Sequence, residues 1–69
     1  MKASELRDLT VEELEKQALD LRERLFRLRM RNRLGQLESP SEIRKVRRDL
    51  ARVLTVINEK KRAARRAES

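Results

Sequence analysis

The sequence predicts an all-α fold, a coiled-coil-like antiparallel hairpin of two long helices, and three observations carry that prediction. Apolar residues recur in alternating steps of three and four along two stretches, Val11, Leu14, Ala18, Leu21, Leu25, Leu28 and then Ile43, Val46, Leu50, Val53, Ile57. This is the heptad spacing that holds one stripe of a helix against a partner. The only glycine, Gly35, and the only proline, Pro40, stand together between the two stretches. Pairing across that turn sets Leu28 opposite Val46, Leu25 opposite Leu50, Leu21 opposite Val53, Ala18 opposite Ile57 and Val11 opposite Ala64, in one constant antiparallel register.

In chain order, residues 2–9 read as a short lead-in turn. Thr10-Val11-Glu12-Glu13 then offers a capping box, with Leu9 and Leu14 placed to form a hydrophobic staple, so the first helix spans about 10–34. A second apolar row on it, Leu19, Phe26 and Met30, lies well round from the seam and predicts a flank covered by a protein partner. The turn takes 35–39. Gly35 suits the left-handed conformation that closes a helix, and Pro40 suits a first helical position because it has no amide hydrogen to leave unsatisfied. Ser39-Pro40-Ser41-Glu42 reads as a second capping box. The second helix follows over about 40–66, with Leu54 beside its seam. So short a connection forces antiparallel neighbours. The whole chain, 1–69, is one hairpin domain whose single layer of side chains predicts marginal stability in isolation.

Composition bounds the function. The chain has no cysteine and no histidine, and one Phe is its only aromatic residue, so neither a large core nor a disulfide framework is available. Charges punctuate the N-terminal segment where a signal peptide needs an apolar block, and no apolar run reaches membrane length. The expectation is a cytoplasmic protein. Without His, Cys, a glycine-rich phosphate loop or carboxylates at metal-ligand spacing, the sequence predicts no enzyme, no metal, no cofactor and no small-molecule substrate. A membrane-surface helix fits the charge but not two apolar seams matched to each other, nor the lack of Trp.

The net charge is +7, and 14 of the 19 cations are Arg, whose planar fork suits phosphate. The charge is not spread evenly. Over 22–52, the half of the hairpin that holds the turn, eleven cations (Arg22, Arg24, Arg27, Arg29, Arg31, Arg33, Arg44, Lys45, Arg47, Arg48, Arg52) face four carboxylates (Glu23, Glu38, Glu42, Asp49), a surplus of seven. The open half carries eight of each sign and is neutral. Its acids begin one helix and its cations end the other, an arrangement that suits both helix dipoles and needs no polyanion to explain it. The turn half does need one. Arg24, Arg27 and Arg31 share a face of the first helix, and Arg44, Arg48 and Arg52 recur every fourth residue on the second. With no aromatic residues placed to stack on bases, such rows suit the backbone and shape of structured RNA.

The chain resembles the family of large ribosomal subunit protein twenty-nine along nearly its whole length. The resemblance is carried by Leu25-Phe26-Arg27-Leu28-Arg29, by Gly35-Gln36-Leu37-Glu38, and above all by the run 43–52 followed by Thr55-Val56. Lys2, Glu5-Leu6-Arg7 and Glu12-Glu13-Leu14 agree as well, while 30–34 departs from the family pattern by adding charge. The resemblance implies a helical hairpin in the cytoplasmic ribosome, a structural constituent bound to large-subunit ribosomal RNA. It also implies a neighbour, large-subunit protein twenty-three, at the rim of the polypeptide exit tunnel where nascent-chain factors dock. On this chain it assigns RNA contact to Arg27, Arg29, Arg44, Arg47, Arg48 and Arg52, and the charge distribution adds Arg24, Arg31 and Lys45. Two other readings compete, a homodimeric coiled-coil interaction protein and a small basic DNA-binding protein. The specified turn at Gly35 and Pro40 argues against the dimer.

Overall fold

Two long helices run antiparallel and a short third helix lies along the middle of the second long one. The computed structural model describes residues 1–35 and 40–68. In chain order the elements are α1 (Ala3–Arg7), α2 (Val11–Arg33) and α3 (Pro40–Glu68), packed into a rod of 51 × 18 × 15 Å. At a rise of ~1.5 Å per residue the two long helices are roughly 35 and 44 Å long.

The predicted start of the first long helix is present. The Thr10 side-chain oxygen accepts the amide hydrogen of Glu13 at 3.1 Å, satisfying a donor that the helix itself leaves open. The hydroxyl in turn donates to the Glu13 carboxylate at 3.1 Å. At the other end the amide of Leu34 donates to the carbonyl of Met30 at 3.0 Å and that of Gly35 to Asn32 at 3.2 Å. Gly35 then takes a φ of 81°, the left-handed conformation expected of it and the only positive φ among the described residues. The capping box on Ser39 falls outside the described residues. The second helix begins at Pro40, as predicted, and outruns its predicted end to reach Glu68.

The core is the predicted seam. Leu14, Ala18, Leu21, Leu25 and Leu28 of α2 are buried against Val46, Val53 and Ile57 of α3, with Val11, Ile43, Leu50 and Leu54 half-buried at its margin. At the open end the predicted register loses its last pair, because Ala64 is exposed.

The lead-in corrects the sequence reading, for it is not a turn but the helix α1. Its amides at Glu5 and Leu6 both donate to the carbonyl of Lys2, and its Leu6 is buried. Leu6 joins the core cluster together with Val56, a residue off the heptad stripe that is nonetheless only 2% exposed. Burying one Leu and one Val that the two-helix seam would leave in water is what holds so short a helix.

Two outcomes follow from this packing. Leu14→Ala, at a fully buried position, is expected to lower unfolding free energy by about 2–5 kcal/mol, whereas Leu19→Ala on the outer face should change it by no more than ~0.5 kcal/mol in urea titrations followed by circular dichroism. Space is open around Gly35, so Gly35→Val is expected to cost only backbone strain, about 1–2 kcal/mol, and Gly35→Asn markedly less, since Asn tolerates the left-handed region.

Candidate nucleic-acid interface

Because the seam occupies one stripe of each helix, the arginines of the turn half are left on outward faces. The structure divides them into two kinds. On α3, Arg44, Arg47 and Arg48 surround a shallow depression of about 310 Å³ floored by Ala51. All three are exposed, and none makes an ion pair or hydrogen bond with the described residues. A small floor residue between three guanidinium forks leaves room for an anion to approach them together, the arrangement that gives bidentate Arg–phosphate bonds. A second depression, of about 320 Å³, shares Arg44 and Arg48 with Lys45 and Arg52, and it is bordered by Ser41, Asp49 and Met1. Arg52 donates from its guanidinium to the Met1 carbonyl.

The arginines of α2 are placed differently. Arg24 donates to the carboxylate of Glu42 across the hairpin at 3.1 Å, Arg27 stands 4.0 Å from the carboxylate of Glu23, and Arg31 is also engaged. Arg24 and Lys45 border one hollow, but Glu42 and Asp49 border it with them. At ~100° per residue Arg29 falls on the opposite flank of the α2 seam with Arg22 and Arg33, and it is exposed with no partner among the described residues. The two rows expected from the sequence therefore do not form the walls of one groove. Arg24, Arg27 and Arg31 lie among carboxylates, while Arg44 and Arg48 stand on the side of α3 turned away from α2.

The open half behaves as its balanced charge suggests. Lys61 pairs with Glu15 at 3.5 Å, Arg7 with Glu59 at 3.3 Å, and Lys60 donates to the carbonyl of Arg7 at 2.8 Å. The apolar flank is in place as well. Leu19, Phe26 and Met30 are exposed, Phe26 by 65%, and Leu34, one turn beyond Met30, extends the row although the sequence reading did not include it. The spacing of four from Met30 was the available signal. Among the described residues no helix is long and apolar enough to cross a membrane, and no group of acidic side chains could hold a metal ion.

Residues 4–60 match the model of the family described as ribosomal L29 protein. The chain belongs to the ribosomal L29 protein family. Among its relatives, the large ribosomal subunit protein uL29 of Carboxydothermus hydrogenoformans is 50% identical over 68 residues, 99% of each chain. The protein of that name from Syntrophotalea carbinolica is 54% identical over 61 residues, 88% of this chain and 98% of the relative. The one from Rubrobacter xylanophilus is 51% identical over 61 residues, 88% of this chain and 91% of the relative. The stretch that matches the L29 model contains the seam, α2 and the whole Arg44 to Arg52 cluster, whereas Arg62 and Arg65 lie beyond it. The family is one of ribosomal proteins, not enzymes.

The division between paired and unpaired arginines has a measurable consequence. Arg47→Ala and Arg24→Ala remove the same formal charge, but Arg24 must leave Glu42 to meet a phosphate. On a heparin column Arg47→Ala is expected to elute at clearly lower salt than Arg24→Ala.

Proposed function

We propose that this L29-family protein binds large-subunit ribosomal RNA chiefly through the back of α3, with Arg44, Arg47 and Arg48 as the principal phosphate contacts. Lys45 and Arg52 extend that surface on one side and Arg29 on α2 contributes from the other helix, while Arg24 and Arg27, paired with carboxylates, and Arg31, also engaged, contribute less. Family membership makes the chain a structural constituent of the large ribosomal subunit, and hence a protein of the ribosome in the cytoplasm. The observation that carries the RNA reading is the group of three exposed guanidinium forks around Ala51, none of them in an ion pair or hydrogen bond among the described residues. Rigid helices present these groups, so they need little ordering on binding, and each phosphate contact would release counterions from the RNA.

In the same reading the exposed flank of Leu19, Phe26 and Met30 meets a protein neighbour, large-subunit protein twenty-three, at the rim of the exit tunnel where nascent-chain factors dock. What supports this part is the family resemblance together with the exposure of an aromatic side chain on a helix whose seam is already filled. A homodimeric coiled coil is disfavoured because both seams are consumed within one chain.

The test compares two triple variants of equal formal charge for binding to a large-subunit ribosomal RNA fragment across a salt series, and for co-sedimentation with large subunits. Replacing Arg44, Arg47 and Arg48 by Ala should weaken binding strongly and reduce the logarithmic salt slope by roughly two to three, at ~0.7–0.9 per phosphate contact. Replacing Lys60, Lys61 and Arg62 by Ala should change both far less. Equal effects of the two triples, or equally tight binding to duplex DNA, would count against the site.

A further inference from the structure

Arg44, Arg48 and Arg52 recur one helical turn apart, about 6 Å along the axis at each step, yet only two of them stand free. Arg44 and Arg48 have no partner among the described residues, whereas Arg52 is tied to the carbonyl of Met1. Met1 borders the same depression as Arg44, Lys45, Arg48 and Arg52. A phosphate seated between Arg48 and Arg52 would therefore meet the N-terminal residue there.

We infer that α1 is a strap that holds Arg52 in reserve, and that a phosphate of bound RNA takes Arg52 from Met1 and loosens α1 as it does so. The inference rests on the RNA-binding reading above. Its physical basis is the imbalance between what holds α1 and what competes for Arg52. A five-residue helix has no stability of its own, so it stays formed only while it is docked. It has one buried side chain, Leu6. The remaining ties are polar. Three are open to solvent, Arg52 to the Met1 carbonyl, Arg7 to Glu59 at 3.3 Å and Lys60 to the Arg7 carbonyl at 2.8 Å, while the Met1 amino group stands 3.8 Å from a more shielded Asp49. Exposed ties of this kind contribute little each. The bond from Arg52 ends on a neutral carbonyl, and a guanidinium–phosphate bond is shorter and roughly twice as strong. Asp49 borders the same depression, and its carboxylate stands 3.8 Å from the Met1 amino group, so that undocking of α1 also frees this acid. Since RNA binding and docking of α1 both use Arg52, each must weaken the other reciprocally.

The experiment uses the full chain and the same ribosomal RNA fragment. Leu6→Ala loosens the strap without touching a basic residue, and it is expected to bind the fragment about fivefold or more tighter than wild type. Arg52→Ala should then cost more affinity in the Leu6→Ala background than in wild type. In the wild-type chain, amide hydrogens of residues 3–7 should exchange faster in the complex than free. Leu6→Ala binding no tighter while circular dichroism shows α2 and α3 intact would overturn the inference, as would strap amides that exchange at the same rate or more slowly in the complex. Should Leu6→Ala unfold the hairpin, the wild-type exchange comparison decides alone. Binding that is lost with Arg44, Arg47 and Arg48 while the strap stays unmoved removes only the strap. A wild-type chain without salt-dependent binding removes both readings.

Discussion

Every other feature depends on the single seam between α2 and α3. Two helices can bury only one stripe each, and here the stripe is filled by leucines on one side and mainly by valines on the other, with Leu14 and Val53 wholly withdrawn from water. Apart from the patch around Val56 that α1 helps to bury, no described element covers the remaining faces. The other outward positions are consequently surface, and the chemistry placed there is what the molecule presents. The seam also requires the chain to reverse within a few residues, which makes the left-handed Gly35 and the helix-starting Pro40 conditions of the fold.

A rod built in this way can differ in charge from end to end. At the open end the acids beginning α2 meet the cations late in α3, as in the pair of Lys61 with Glu15, and α1 adds Arg7 with Glu59. At the turn end the carboxylates are few, and of those described Glu42 pairs with Arg24, Glu23 stands by Arg27 and Asp49 stands by the Met1 amino group. What is left over is concentrated on the back of α3. A rigid rod with one neutral and one strongly positive end would orient itself toward a polyanion before contact. Exposed Phe26 and its neighbours on α2 give the same molecule an apolar face apart from the basic back of α3.

α1 joins the core to the basic row. Its Leu6 belongs to the core cluster with Val56, and its segment at the same time occupies the last arginine of the α3 row. Core burial and the engagement of Arg52 thus share one short element, held in part by exposed ion pairs that salt weakens.

The sequence by itself determined the two long helices, their seams and most of their facing register, because each follows from spacing along one chain: steps of three and four, a glycine where one helix ends and a proline where the next begins, a threonine three residues before a glutamate. It also determined which half of the rod is positive, since a count of charges needs only the topology. Tertiary structure alone decided which of those charges remain available. Arg24 finds Glu42 and Arg52 finds Met1 across 18 and 51 residues of chain, and such meetings depend on which flank of each helix faces the other segment. Heptad spacing specifies the buried stripe but is silent about the flanks. For the same reason α1 was not legible: Leu6 has no periodic partner in its own segment, and only docking beside Val56 gives it a place in the core.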